Sequence, residues 1–195
     1  MELPLYIKTM ETTKEYIERL KKTLDSLDLS EIEDFTNAVI NAFENNNQIF
    51  IFGNGGSAST ASHFACDINK GCSNGNEKRF KVISLTDNIP IMLAYANDVS
   101  YDDVFLEQLK NYLNIGDVVI GISGSGNSIN VLRAVEYCNQ KGNITIGITG
   151  FNGGVLKKLA KISVNANVND MQISEDIHMI VVHILMKKLF QYVRK

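Results

Sequence analysis

Apolar residues recur every three or four positions over the first 46 residues, and this spacing predicts two helices before any strand. The first predicted helix covers 5–27 and the second covers 30–46. Ser30, with Glu33 three residues later, predicts a capping box at the start of the second helix. The apolar positions are Tyr6, Met10, Tyr16, Ile17, Leu20 and Leu24, then Ile32, Phe35, Ala38, Val39 and Phe43. The chain is therefore predicted to open with a helical hairpin.

Five short apolar runs follow, and segments with helical spacing separate them. Each run is continuously apolar, which is typical of parallel strands that are buried on both faces. The predicted strands are 48–52, 80–85, 117–122, 144–148 and 162–164. The predicted helices are 57–70, 89–97, 101–112, 128–141, 153–160 and 172–194. Strands that alternate with helices predict a doubly wound α/β sandwich around a mostly parallel sheet.

The composition favours one ordinary folded domain over residues 1–195, because 45% of the residues are hydrophobic and 21% are charged. These values exclude a disordered or coiled-coil chain. The net charge is −3, and the sequence has neither a basic block nor about 20 consecutive apolar residues, so we expect no nucleic-acid or membrane partner. Three cysteines without a C-x-x-C pair, and a start without a targeting segment, predict a cytoplasmic protein with reduced thiols.

Two predicted strand-to-helix turns are rich in glycine and serine. The first cradle is 53–57 (GNGGS) and the second cradle is 123–128 (SGSGNS). Backbone N–H groups and the positive end of the next helix suit such turns to anion binding, although glycines also serve simply to make tight turns. Neither cradle matches a dinucleotide fingerprint or a P-loop, and neither contains lysine. A sugar monophosphate therefore fits them better than a nucleotide.

Histidines next to carboxylates provide the second candidate chemistry. His63 and Asp67 are four residues apart and share one face of the helix predicted over 57–70. Such a pair suits a zinc-like divalent ion or proton transfer, although a lone histidine is more often structural. Cys66 is either a soft ligand beside His63 or a small core residue. We expect His178 to be structural or to lie at a subunit contact.

The last predicted helix carries a second histidine with carboxylates. Glu175 precedes His183 by eight residues, which is roughly 12 Å along a continuous helix. The two side chains could reach one ion only by leaning together or if Glu175 lies in a frayed first turn. Asp176, seven residues before His183, is better aligned around the helix axis and is a rival to Glu175.

Four segments of the chain resemble the sugar isomerase (SIS) domain and, within it, the sedoheptulose 7-phosphate isomerase (phosphoheptose isomerase) family. The segments are GNGGSASTASHFACD at 53–67, AYANDVSYDDVF at 94–105, GDVVIGISGSGNSINVLRA at 116–134 and ISEDIHMIVVHIL at 173–185. The resemblance implies a three-layer α/β/α sandwich with an N-terminal helical hairpin. It also implies a homotetramer with active sites shared between subunits, in which the helices of residues 1–46 take part in oligomerisation.

The resemblance also implies a role for each matching position. Asn97 and Asp98 would contact substrate hydroxyls, and His63 and His183 would bind zinc. His183 would also act as the general acid. Residues of the first cradle that would line the sugar-phosphate site are Asn54, Gly55, Gly56 and Ser57. Residues of the second cradle that would hold the phosphate are Ser123, Gly124, Ser125 and Ser128.

Two positions depart from the family pattern. Asp67 stands where the family has a glutamate that serves as metal ligand and catalytic base. Glu175 stands where the family has a glutamine, eight residues before the last histidine. We expect both carboxylates to bind metal and substrate, with Asp67 as the base and Glu175 assisting it. A placement slipped by three residues would use Gln172 instead of Glu175, but the family interval to the last histidine argues against it.

These features predict an aldose–ketose isomerase that interconverts phosphosugars through an enediol or enediolate. The resemblance names sedoheptulose 7-phosphate as the substrate and D-glycero-D-manno-heptose 7-phosphate as the product, for heptose in bacterial lipopolysaccharide or capsule. The two departures leave room for a different ketose phosphate. A non-catalytic SIS protein that binds another protein, of the replication-initiator-binding type, is the alternative. A phosphosugar-sensing regulator is disfavoured because the chain has no DNA-binding segment.

Overall fold

The computed structural model describes residues 10–73 and 75–194. In that part of the chain, five strands form one sheet. They are β1 (Ile49–Gly53), β2 (Val82–Ser84), β3 (Val118–Ser123), β4 (Ile144–Thr149) and β5 (Ile162–Asn165). Their order in the sheet is β2-β1-β3-β4-β5, and every neighbouring pair is parallel. The predicted parallel sheet is confirmed, with each strand within three residues of its predicted ends.

Eight α-helices surround the sheet within the described residues. They are α1 (Thr13–Asp25), α2 (Leu29–Glu44), α3 (Gly56–Cys66), α4 (Ile89–Asp98), α5 (Leu106–Tyr112), α6 (Ile129–Gln140), α7 (Leu156–Leu159) and α8 (Met171–Tyr192). A π-helix, Asp67–Cys72, continues α3, and a 3-10 turn, Tyr101–Asp103, precedes α5. None of these helices is both long and apolar enough to cross a bilayer.

Alternate side chains of each strand fill two separate apolar cores, one on each face of the sheet. On β1, Ile49 and Ile51 pack in the core that α2, α3 and α8 cover, and α1 lies against the same core. Phe50 and Phe52 point to the opposite face and pack in the core that α5, α6 and α7 cover. This alternation follows from the two-residue period of a strand. It confirms the three-layer α/β/α sandwich.

The first helix begins later than the apolar spacing predicts. Thr12 is the N-cap of α1, and its hydroxyl and the Glu15 carboxylate form a reciprocal capping box. The cap excludes residues 10–12 from the helix. The part of the predicted helix over residues 5–9 lies outside the described residues.

The predicted cap of the second helix is wrong. Asp28 is the N-cap of α2, and its carboxylate accepts a hydrogen bond from the Ser30 backbone N–H at 2.9 Å. Ser30 therefore lies inside the first turn. Glu33 pairs with Lys188 of α8 instead of closing a capping box. The exposed Glu33 side chain thus pairs with a residue of a distant helix and not with the start of its own helix.

Three predicted helices are interrupted. The helix predicted over 57–70 changes from α to π geometry at Asp67. The segment 101–112 divides into the 3-10 turn and α5. The helix predicted over 153–160 shrinks to the single turn of α7, since Gly153 and Gly154 have left-handed φ angles of 88° and 54°.

The strand order places a topological switch point between β1 and β3. The two strands are neighbours, with Gly53 opposite Ile122 at their carboxyl ends. The chain leaves β1 into α3 on one face of the sheet and leaves β3 toward α6 on the other. The crevice beyond such a switch point is the usual ligand site of an open α/β sheet. Both cradles lie there.

His178 lies in the middle of α8 and is 1% exposed. Burial removes water from the imidazole and lowers the pKa of His178 from 6.5 to about 4, outweighing an opposing contact with the Thr149 backbone. A side chain buried this deeply within its own chain favours the structural interpretation over a subunit contact.

We expect acid to destabilise the fold through His178. Between pH 6.5 and pH 4 the unfolded chain binds a proton that the folded chain excludes, so stability falls as the pH falls. Chemical unfolding at pH 7 and pH 5 should show that His178→Leu removes about 2 kcal/mol of the loss seen in the parent. Val182→Ala, a buried change on the same helix, should leave the pH dependence unchanged. An equal loss in His178→Leu and the parent would contradict this account.

Candidate active site

The two cradles meet at the carboxyl ends of β1 and β3. A β-carbon on Gly53 would lie 2.8 Å from the Ile122 carbonyl oxygen and 2.6 Å from the β-carbon of Ser57. Only glycine allows β1 to turn into α3 so close to the backbone of β3. The sequence thus builds the first cradle directly against the strand that leads into the second.

A carboxylate already faces the first cradle. Gly55 is the N-cap of α3 and provides no side-chain cap, which leaves the positive end of this helix open. A β-carbon on Gly56 would lie 2.5 Å from Oε1 and 2.7 Å from Oε2 of Glu175. Glu175 of α8 therefore places its negative charge where an anion would otherwise sit. The negative charge of Glu175 therefore disfavours binding of a phosphate at the first cradle.

The second cradle offers hydroxyls instead. The Ser123 and Ser128 hydroxyl oxygens are 3.0 Å apart, and the Ser125 hydroxyl accepts a bond from the Asn127 N–H at 3.2 Å. Ser128 is the N-cap of α6, but its side chain bonds to Ser123 and makes no capping bond. Ser125 and Ser128 are partly exposed. Hydroxyls at an uncapped helix start can together hold an anion.

Two amide side chains tie the first cradle to the start of α6, the helix that follows the second cradle. Asn54 Nδ2 donates to Asn130 Oδ1 and Asn130 Nδ2 donates to Asn54 Oδ1, each at 2.9 Å. Asn54 Oδ1 also accepts a 2.8 Å hydrogen bond from the Tyr101 hydroxyl. Both acceptor positions of Asn54 and one of its two N–H donors are thereby used. A single N–H remains for a ligand.

His63, Asp67 and His183 form a cluster in which each residue offers one ligand atom. His63 Nε2 lies 3.2 Å from Asp67 Oδ2 and 3.0 Å from His183 Nε2, and His183 Nε2 lies 3.9 Å from Asp67 Oδ2. The three atoms come from α3, the start of the π-helix and α8. The side chains are 30–52% exposed, so small molecules can reach the cluster.

The cluster has the donor set of a metal centre. Two imidazole nitrogens and one carboxylate oxygen are typical protein ligands of zinc in sites that keep a fourth position open. Ligand atoms about 2.0–2.2 Å from a tetrahedral ion lie roughly 3.3–3.6 Å from one another, which is close to the distances found here. The three residues therefore fit a divalent ion.

Glu175 stands apart from this cluster. Its carboxylate lies against Gly56, and both residues line a cavity of about 300 Å³, which His63 and Asp176 also line. The group whose ligand atoms converge contains His63, Asp67 and His183 but not Glu175. The structure thus brings three of the four predicted metal ligands together and leaves the fourth on another wall of the same site.

The rival residues have other surroundings. The Asp176 carboxylate accepts a 2.7 Å hydrogen bond from the Tyr16 hydroxyl, which raises the pKa of Tyr16 to about 12 and links α1 to α8. Gln172 is exposed in the first turn of α8 and does not line the cavity. Cys66 is exposed but lines a separate groove beside β2. A ligand pair of His63 and Cys66 therefore has no support among the described residues.

Asn97 and Asp98 are exposed in the last turn of α4. Asn97 Nδ2 donates to Asp98 Oδ1 at 2.7 Å, so the two side chains are paired with each other. Three residues further along, Tyr101 reaches Asn54 of the first cradle. Their predicted contact with substrate hydroxyls stays a prediction.

Comparison with known proteins bears on this site. A family model for the SIS domain matches residues 13–150, and the phosphoheptose isomerase of Helicobacter pylori (strain P12) is 38% identical over 168 residues, which are 86% of each chain. This chain belongs to the phosphoheptose isomerase family of SIS-domain proteins. The predicted family is thereby confirmed, and membership supports an isomerase that acts on a sugar phosphate.

Solved structures agree with this family. The phosphoheptose isomerase of Neisseria gonorrhoeae matches with a TM-score of 0.82 at 26% identity, covering 91% of this chain and 98% of that one. That of Francisella tularensis matches with a TM-score of 0.83 at 25% identity, covering 91% and 96%. The fold of the phosphoheptose isomerases thus extends over 91% of this chain.

Sequence reasoning missed Tyr101 and Asn130. Both lie within the segments that carry the family resemblance, yet no spacing rule links them to Asn54. Tyr101 is 47 residues and Asn130 is 76 residues away from Asn54 along the chain. An asparagine at the second position of α6 that is only 2% exposed is a weak signal of a polar network, and only the fold shows the partner.

We expect a steric coupling between Gly56 and Glu175. Gly56→Ala should lower the free energy of unfolding by about 1 kcal/mol, because the new β-carbon must displace the carboxylate. Glu175→Ala should remove that cost, whereas Glu175→Gln, which has the same size, should keep it. Urea unfolding of the single and double variants measures both couplings. An equal cost of Gly56→Ala in all three backgrounds would show that the two residues do not touch.

Proposed function

We propose that this chain is an aldose–ketose isomerase that converts sedoheptulose 7-phosphate to D-glycero-D-manno-heptose 7-phosphate. The reaction would supply heptose for bacterial surface polysaccharides. The observation that carries the proposal is that the neighbouring strands β1 and β3 lead into the two halves of a candidate site: α3 after β1, which bears His63 of the cluster of two histidines and a carboxylate, and the hydroxyl-rich anion cradle after β3. The names of the relatives support the substrate.

The phosphate of the substrate binds at the second cradle. Ser123, Ser125 and Ser128 supply hydroxyls, and the uncapped first turn of α6 supplies the positive end of a helix dipole. Glu175 disfavours the first cradle for the same group, because its carboxylate faces the start of α3. The reacting end of the sugar then lies toward His63, Asp67 and His183. The remaining N–H of Asn54 is available for a sugar oxygen between the two ends.

Proton transfer in the open-chain sugar requires a base and an acid. Asp67 Oδ2 faces both histidines, which leaves Oδ1 to take the proton from the hydroxymethyl carbon next to the carbonyl. The electron pair of that C–H bond forms the enediolate double bond, and the carbonyl oxygen takes up negative charge. A proton is then transferred from the neighbouring hydroxyl to the former carbonyl oxygen, and return of the abstracted proton to the former carbonyl carbon completes the aldose. His183 is placed to exchange these protons.

The same cluster suits a divalent ion, and zinc is the ion we propose. His63, Asp67 and His183 would hold it, and Glu175 would contribute the negative charge of the facing wall. A bound ion would supply Lewis-acid stabilisation of the negative charge on the substrate oxygen. The positions of the residues for phosphate binding and proton transfer do not depend on it.

The proposal includes a homotetramer in the cytoplasm. The apolar surface of α4 supports association between copies, since none of its residues is buried within the chain. Ile89 and Leu93 of this helix are 62% and 65% exposed. As the sequence resemblance implies, the hairpin of residues 1–46 would take part in the assembly.

We expect isomerase activity to depend on the second cradle. The Michaelis constant for sedoheptulose 7-phosphate should rise roughly 5- to 150-fold in Ser125→Ala, which corresponds to about 1–3 kcal/mol for a hydrogen bond to a charged group. Aldose formation and deuterium wash-in from solvent measure the reaction. Ser26→Ala, a surface serine at the end of α1, is the matched control. If the parent shows no wash-in with any ketose phosphate, the chain is a binding protein and not an isomerase.

We expect one divalent ion per chain. Calorimetric titration of chelator-treated protein with Zn²⁺ should show affinity losses of roughly 100-fold or more in His63→Ala and in His183→Ala. Glu175→Gln should lose less than about tenfold, because its carboxylate lies outside the converging group. Cys66→Ser, on the same helix as His63, should bind like the parent. A Cys66→Ser variant weaker than His63→Ala would place the ion elsewhere.

A further inference from the structure

Glu175 and His63 line the same cavity, so a carboxylate lies close to one member of the cluster of His63, Asp67 and His183. The cavity of about 300 Å³ is bounded by α3 on one side and α8 on the other. Asp67 adds a second carboxylate through its contact with His63. The proposed site therefore combines the second cradle, which suits one anion, with a separate acidic region formed by Glu175 and Asp67.

The position of Glu175 is held by two features of the fold. Its side chain is half-buried, and its carboxylate lies against Gly56, where any larger residue would collide with it. The start of α3 has no other side-chain cap, so the helix dipole favours a carboxylate at this point. The Glu175 carboxylate is thus held in the wall of the cavity, at the start of α3.

We propose that Glu175 determines specificity by excluding substrates that carry a second anionic group at the reacting end. This inference rests on the proposed binding of the phosphate at the second cradle. A sugar acid or a bisphosphate held there would place its other negative charge in the cavity beside Glu175 and Asp67. Two like charges a few ångströms apart in a partly enclosed site repel strongly. The protein would therefore accept sugar monophosphates that carry no charge at the end opposite the phosphate.

Asp176 is the matched control for this idea. It follows Glu175 in the chain, carries the same charge and lines the same cavity. However, its carboxylate is engaged by the Tyr16 hydroxyl at 2.7 Å. Asp176→Asn changes the net charge by the same amount as Glu175→Gln, and an asparagine can still accept the Tyr16 bond. A difference between the two variants therefore reports position and not net charge.

The test uses two ligands that cannot isomerise. Sorbitol 6-phosphate and 6-phosphogluconate have the same six carbons and one phosphate, and they differ only in a hydroxymethyl or a carboxylate at the first carbon. Calorimetry gives the dissociation constants for the full-length parent, Glu175→Gln and Asp176→Asn. The titrations are run on the protein as purified and again after chelation, because a bound ion would attract the carboxylate.

After chelation, we expect the parent to bind sorbitol 6-phosphate at least about tenfold more tightly than 6-phosphogluconate, and an ion bound in the protein as purified should lower this ratio. Glu175→Gln should reduce this ratio at least about fivefold, and 1 M salt should reduce the ratio of the parent. Asp176→Asn should stay within about twofold of the parent. An unchanged ratio in Glu175→Gln, or an equal change in Asp176→Asn, would overturn the inference.

The remaining outcomes separate this inference from the proposed function. If neither ligand binds to the parent, the cradle assignment and the specificity role are both wrong. If the ligands bind with the expected ratios but no ketose phosphate is converted, the specificity role stands and the isomerase proposal fails. If a ketose phosphate is converted but Glu175→Gln leaves the ratio of the two dissociation constants unchanged, the isomerase proposal stands and the specificity role of Glu175 fails.

Discussion

The reciprocal hydrogen bonds between Asn54 and Asn130 join the loop after β1 to the start of α6, which follows the loop after β3. Parallel pairing of β1 with β3 places the loops at one edge, and the close approach at Gly53 leaves no room for a side chain between them. The amide pair then sets their relative position, because each amide donates to and accepts from the other. This arrangement sets the hydroxyl-rich second cradle beside the start of α3.

The helix that follows the first cradle, α3, also contributes to the cluster of two histidines and a carboxylate. α3 presents His63 at its last turn, and the change to π geometry begins at Asp67, the residue that faces both histidines. π-turns are uncommon in helices and are frequent at functional sites. α8 brings His183 to the same point from the far end of the chain. The cluster is thus a contact between two helices on one face of the sheet, and one of these helices, α3, begins at the first cradle.

Charge divides the site into two halves. The second cradle presents hydroxyls and a helix start without a capping side chain, whereas the opposite wall presents Glu175 and Asp67. Asp176 would add to the acidic wall, but Tyr16 of α1 engages it. The N-terminal hairpin therefore touches the site through one hydrogen bond, in addition to covering the core beneath α8.

The amino-acid sequence by itself determined the order of elements, the parallel sheet, the two cradles and the pairing of His63 with Asp67. These are local properties: continuous apolar runs, glycine and serine at strand ends, and a four-residue spacing on one helix. The sequence did not predict that Asp28 caps α2, or that Tyr101 and Asn130 contact Asn54. Each of these polar side chains has several possible partners, and the packing of the elements decides which partner it meets. Which carboxylate of α8 meets the histidines was equally open in the sequence. The tertiary structure decided that Glu175 faces the start of α3 and Asp176 faces Tyr16, because the crossing of α8 over α3 and α1 directs neighbouring side chains to different helices.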